Sequence, residues 1–98
     1  MAKTVWISGA SRGIGRSAAL CFAKAGYRIA AGYSNSASDM RSLMQELAAL
    51  GAMAMPVCCD IADASSVDRA AETIISTLGG IDVLINNAGI AHYGMLED

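Results

Sequence analysis

Apolar residues along this chain change their spacing on a regular schedule. The run Thr4-Val5-Trp6-Ile7 is β-branched and aromatic and stops at Gly9, as suits a strand buried on both faces. From Ile14 the spacing becomes helical: Ile14, Ala18, Cys21, Phe22 and Ala25 form one stripe, with Gly26 placed for a left-handed C-terminal cap. Tyr27 to Tyr33 predicts a second strand, and Met40, Leu43, Met44, Leu47 and Ala48 predict a second helix ending at Gly51. Ala52 to Val57 is expected as a third strand. Asp63 then reads as the N-cap of a third helix carrying Val67, Ala70, Ala71, Ile74, Ile75 and Leu78 before Gly79. Asp82-Val83-Leu84-Ile85 is the expected fourth strand.

Strands alternating with helices of this length imply βαβ units and a parallel sheet with helices on both faces, an α/β doubly wound fold. Right-handed crossovers leave few topologies; in a doubly wound sheet the strand order would be 3-2-1-4, and ligands bind at the strand C-termini where the order reverses, between strands 1 and 4. Residues 1–98 read as one domain with no linker and no sequence repeat. Pro56 is expected near a strand end, where a missing donor is tolerated.

Composition narrows the partners. Hydrophobic content of 54% with 16% charge describes a globular chain. Seven basic and nine acidic side chains give a net charge of -2 without a run of one sign, which argues against nucleic acid and anionic membrane. No apolar stretch approaches the roughly 18 to 20 residues of a membrane span. The first strand begins near Lys3, leaving no room for a targeting peptide. A cytoplasmic protein is expected, and the three cysteines fit that compartment as unbridged thiols. Cys58 and Cys59 are adjacent, no cysteine spacing suits a metal, and all three are expected to be small buried residues without chemistry.

The chemistry concentrates in Gly9-Ala10-Ser11-Arg12-Gly13-Ile14-Gly15, between the first strand and the first helix. Gly9 permits a sharp exit from the strand, Gly13 lets backbone approach a pyrophosphate, and Gly15 lets the helix pack closely on the sheet. The helix N-terminus adds free N–H groups and about half a positive charge. A turn using glycine for conformation alone is the competing reading. The strand before it, the helix after it and the lack of a Gly-Lys-Ser/Thr ending favour a dinucleotide over a nucleoside triphosphate.

These residues resemble the short-chain dehydrogenase/reductase family, whose first motif is Thr-Gly-x-x-x-Gly-x-Gly. It stands here as Ser8-Gly9-Ala10-Ser11-Arg12-Gly13-Ile14-Gly15, and the family's Asn-Asn-Ala-Gly is matched at 86–89. The resemblance covers the whole chain and implies a Rossmann-like nicotinamide-binding domain. An acid at the end of strand two would hold the ribose hydroxyls of NAD and repel the phosphate of NADP. The residues there are Gly32-Tyr33-Ser34-Asn35-Ser36, all neutral, and Asp39 is expected in the first turn of the next helix. Arg12 is placed to meet a 2′-phosphate with a planar fork of donors, helped by Ser34 and Asn35, and the resemblance associates this arginine with NADP. The expected cofactor is therefore NADP(H). The alternative for Arg12 is a solvated loop residue.

The resemblance further implies that Asp60 bonds the adenine amino group with Ile61 beside the ring. Asn87, Ala88 and Gly89 would face the cofactor ribose. Asp60 as a loop or capping carboxylate, and Asn86 as a bridge between strands, are the competing readings. In the family, hydride transfer uses a Tyr-x-x-x-Lys pair, a serine that orients the carbonyl and an asparagine relay; the lysine charge lowers the tyrosine pKa. Four residues after Tyr27, Tyr33 and Tyr93 stand Ala31, Ala37 and Glu97, so the chain holds no such pair. His92 and Tyr93 read as loop residues. No catalytic residue is assigned.

The run Ala-Ser-Arg-Gly-Ile-Gly, the turn Tyr33-Ser34-Asn35-Ser36 and Asn-Asn-Ala-Gly-Ile look most like the 3-oxoacyl-[acyl-carrier-protein] reductase branch of fatty acid biosynthesis. The expectation is an N-terminal portion, itself inactive, of an NADP-dependent reductase acting on a carbonyl or alcohol, carrier-bound in that branch. The longer protein would be a homotetramer. The rival is a non-catalytic dinucleotide-binding or interaction module.

Overall fold

The computed structural model describes residues 2–87. Four parallel strands, β1 (Thr4–Ser8), β2 (Arg28–Tyr33), β3 (Ala54–Cys58) and β4 (Val83–Asn86), alternate with α1 (Gly13–Lys24), α2 (Ala37–Ala49) and α3 (Ala64–Leu78). The order across the sheet is β3-β2-β1-β4, as the alternation predicts. Element bounds differ from the expected ones by one or two residues. Residues 88–98, with His92, Tyr93 and the expected Ala88 and Gly89, lie outside the described residues.

Side-chain alternation along the central strands assigns each residue to a face. Val5 and Ile7 of β1 and Ile29 and Ala31 of β2 pack with Ala19 and Ala23 of α1 and Met40, Leu43 and Leu47 of α2. Trp6 and Ala30 turn the other way and join Val57, Cys59 and the α3 residues Ala70, Ile74 and Leu78. The molecule is thus a three-layer sandwich with two helices on one face and one on the other. Asp82 ties the sheet together at its base: its carboxylate accepts from the Thr4 N–H at 2.8 Å, and its own N–H donates to the Thr4 carbonyl at 2.9 Å.

The helix stops fall where the glycines predict, with Gly26, Gly51 and Gly79 following α1, α2 and α3. At the last of these Gly79 takes φ 93°, a conformation that L side chains rarely adopt. The α3 start is also as expected. The Asp63 carboxylate accepts from the Ser65 N–H and Oγ, both at 3.0 Å, and these bonds to the charged form lower its pKa below the ordinary value of 3.8.

Three expectations need correction. The buried residues of α1 are Gly15, Ala19 and Ala23 rather than the larger stripe, and Ile14 is 75% exposed, with Cys21 and Ala25 also on the surface. The helix approaches the sheet so closely at Gly15 that small residues lie beneath it, while Leu20 and Phe22 pack against the same core half-buried. Ile75 of α3 is similarly half exposed. Cys21 and Cys58 are exposed, and only Cys59 is buried. Pro56 lies in the middle of β3 and not near its end. Met53 and Cys59 direct their backbone groups to β2, so by alternation the Pro56 nitrogen faces the free edge, where no donor is missed. Among the described residues, no helix is long and apolar enough to cross a membrane.

Candidate functional site

The segment between β1 and α1 is held from three sides. The Ala10 N–H donates to the Gly32 carbonyl of β2 at 2.8 Å. The Asn87 Nδ2, past the end of β4, donates to the Gly9 carbonyl at 3.0 Å. The Ser8 Oγ lies 3.2 Å from the Asn86 Oδ1 and 3.4 Å from the Ile85 carbonyl, so its hydroxyl links adjacent strands, with Ser8 and Asn86 in register. Asn86 is thus the strand bridge considered among the sequence readings. The Asn87 amide nitrogen is engaged with the glycine turn.

Two glycines of the turn meet opposite demands. A Cβ on Gly15 would sit 2.1 Å from the Gly9 oxygen and 2.7 Å from the Asn87 nitrogen, so this glycine is required by close packing. A Cβ on Gly13 would meet nothing within 4 Å, and its φ is +61°. The space beside Gly13 is open, as an approaching ligand requires. Ala10 does not share that opening: it is fully buried in the core beneath the turn. Ser11 is 7% exposed, and Ile14 projects outward.

Gly9, Ser11 and Arg12 join Tyr33, Ser34, Asn35 and Ser36 around a cavity of about 250 Å³ at the C-terminal ends of β1 and β2. The topology therefore brings together five of the expected site residues. Arg12 is also the N-cap of α1, in extended conformation, without a side-chain cap bond and with no acid in the first turn. The helix N-terminus thus keeps its partial positive charge beside the cavity. A guanidinium, a helix N-terminus and neutral hydroxyl and amide side chains form a donor set suited to a phosphate-bearing nucleotide.

Asp60 and Ile61 follow β3 and do not line this cavity. The Asp60 Oδ1 accepts from the Ala62 N–H at 3.0 Å, a local turn bond, and Ile61 is 40% exposed. Sequence reading missed two neighbours. Asp39, placed correctly in the first turn of α2, pairs with Arg12, its Oδ2 at 3.6 Å from Nε. Arg16, given no role from the sequence, donates to the Ser11 carbonyl at 3.2 Å and the Asp39 carbonyl at 3.1 Å. A basic residue immediately after the third glycine is the only linear signal for it.

The fold, the glycine turn and the cavity at the strand ends define a Rossmann-type nucleotide-binding architecture. The model of the short chain dehydrogenase family matches residues 3–98, and the chain belongs to that family. It is 38% identical over 96 residues to a 3-oxoacyl-[acyl-carrier-protein] reductase FabG of Staphylococcus aureus, covering 98% of this chain and 39% of that protein. An L-rhamnose 1-dehydrogenase (NAD(P)(+)) of Azotobacter vinelandii is 43% identical over 99 residues, with the same shares covered. A crystal structure of a short chain dehydrogenase from Burkholderia cenocepacia in complex with NADP superposes with a TM-score of 0.85 at 36% identity, covering 90% of this chain and 36% of that one. The chain therefore spans about two fifths of the length of such relatives.

Proposed function

We propose that this chain binds NADP(H), and that it is the cofactor-binding portion of a short-chain carbonyl reductase of the 3-oxoacyl-[acyl-carrier-protein] reductase type. The observation that carries the reading is the cavity at the ends of β1 and β2, where Arg12 faces a β2 exit with no acid. An acidic residue at that exit would favour NAD; its absence, with a guanidinium opposite, favours the 2′-phosphate. The relative solved with NADP lends support.

In this reading the α1 N-terminus and the open side of Gly13 take the pyrophosphate, while Arg12, Ser34 and Asn35 take the 2′-phosphate. Asp60 and Ile61 receive the adenine, and Asn87, with Ala88 and Gly89 beyond the described residues, the nicotinamide-side ribose. Bound NADP(H) supplies or accepts the hydride. Asn87 contributes indirectly by holding the Gly9 carbonyl, and Arg12 and the helix end orient the anionic half of the cofactor. The 98 residues contain no Tyr-x-x-x-Lys, so by itself the chain binds cofactor without turning over a carbonyl or alcohol substrate. Carrier-bound substrate, a cytoplasmic homotetramer and a Tyr-x-x-x-Lys pair are proposed for the longer protein. That missing pair is also what a non-catalytic binding module would lack.

Titration of NADPH fluorescence tests the reading. Gly13→Ala and Gly26→Ala both place alanine at positive φ, +61° and +92°, with nothing within 4 Å of the new Cβ, so both incur backbone strain, roughly 1 to 2 kcal/mol at Gly13 and no less at Gly26. Gly13→Ala is expected to weaken NADPH binding by about tenfold or more, because its methyl enters the pyrophosphate position. Gly26→Ala, at the far end of α1, is expected to bind like the parent. No NADPH binding by the parent chain would reject the proposal, and equal affinity for Gly13→Ala and the parent would reject the placing of the pyrophosphate beside Gly13.

A further inference from the structure

Arg12 already has a partner. Its Nε lies 3.6 Å from the Asp39 Oδ2, with the two side chains 75% and 46% exposed. Such an exposed pair is weak and can exchange partners. Its location, however, is built by the fold. Arg16 uses one nitrogen, Nη1, to hold both the Ser11 carbonyl at 3.2 Å and the Asp39 carbonyl at 3.1 Å. Its Nη2 donates to the Ser42 Oγ at 3.1 Å and pairs with the Glu46 carboxylate. Arg16 therefore clamps the glycine turn to the first turn of α2, while its own charge is met by Glu46. The clamp keeps the Asp39 backbone beside Arg12 and leaves the Asp39 carboxylate to that guanidinium.

A 2′-phosphate reaching Arg12 competes with this carboxylate for the guanidinium and sits near it, since the clamp holds the Asp39 backbone beside Arg12. A cofactor with a free 2′-hydroxyl meets neither cost. We propose that Asp39 is a specificity-determining residue: an internal competitor for Arg12 that narrows the preference for NADP(H) over NAD(H). The inference rests on Arg12 being the 2′-phosphate ligand, and the test separates the two claims.

The readout is the ratio of NADPH to NADH affinity, by fluorescence titration of the 98-residue chain at low salt, with far-UV circular dichroism confirming each fold. Asp39→Asn is expected to raise the ratio by about fivefold, an effect that shrinks as added salt screens the charges. Arg12→Ala is expected to lower it, and adding Asp39→Asn to Arg12→Ala to give no further gain. If Asp39→Asn fails to fold, Asp39→Ser makes the same comparison. An unchanged or lowered ratio in the Asp39 variant, with Arg12→Ala still lowering it, overturns the inference and leaves the role of Arg12 intact. An unchanged ratio in Arg12→Ala, or no binding of either cofactor, overturns both.

Discussion

The two faces of the sheet are finished to different degrees. On one, α1 and α2 cover β1 and β2, and Val83 and Ile85 of β4 pack against the edge of the same cluster. On the other, α3 is the one helix among the described residues that covers Trp6, Ala30 and Val57. Leu84, the register partner of Trp6 on β4, is left 61% exposed. Trp6 itself is only 4% exposed, yet its indole N–H has no hydrogen-bond partner among the described residues. A sheet with helices on both faces is stable only where each face is covered. The contrast shows that coverage here follows the helices strand by strand: the second face is sealed over β1 to β3 and open over β4.

This contrast can be broken by mutation. The largest effect is expected on the two-helix face, where Leu43 is fully buried. Leu43→Ala should cost about 3 kcal/mol in urea unfolding, transfer and cavity terms together. Leu84→Ala, on the open face, should stay within about 0.5 kcal/mol of the parent. Similar losses at both positions would show that Leu84 is covered in solution and that the faces are equivalent.

Trp6→Phe sharpens the comparison at intermediate size. Lost ring contacts are offset by removing a buried N–H that lacks a partner, itself worth about 1 to 3 kcal/mol. The expected unfolding free energy is within about 1 kcal/mol of the parent. A loss as large as that of Leu43→Ala would mean that the indole N–H is satisfied.

The smallest effect belongs to the start of α3, the only helix on the open face among the described residues. Asp63 caps it through the Ser65 N–H and is fully exposed. Its folded-state pKa is depressed by the Ser65 and Ser66 hydrogen bonds. The stabilisation is therefore complete above the ordinary carboxylate value of 3.8 and is lost as pH falls through the lower folded-state value. Asp63→Asn should melt slightly below the parent at pH 7, and the gap between the two melting temperatures should close as the pH falls through the depressed folded-state value. A gap independent of pH would remove the charge from the explanation.

Much of this architecture is legible in a linear reading because local rules dictate it. A short continuous apolar run separates Val5-Trp6-Ile7 from Leu43 and Leu47 at helical spacing, and Asp63 and Gly79 mark where α3 starts and stops. The turn from Gly9 to Gly15 is likewise readable, since its jobs belong to consecutive residues. Ile14 and Cys21 were the misleading residues. Their hydrophobicity suggested burial, but α1 lies so close to the Gly9 carbonyl at Gly15 that its sheet-facing positions are Gly15, Ala19 and Ala23.

Periodicity and the glycine turn by themselves determined the parallel sheet and the neutral exit of β2, whereas the cleft, expected between strands 1 and 4, is lined at the ends of β1 and β2. The tertiary structure decided which charges meet there. Asp39 and Arg12 are neighbours because Arg16 joins the carbonyls of Ser11 and Asp39 between the glycine turn and the first turn of α2. Asn87 reaches the Gly9 carbonyl only because β4 lies beside β1. Backbone conformation is set within a few residues and can be read there; an ion pair or a hydrogen bond between distant segments depends on the packing that brings them together.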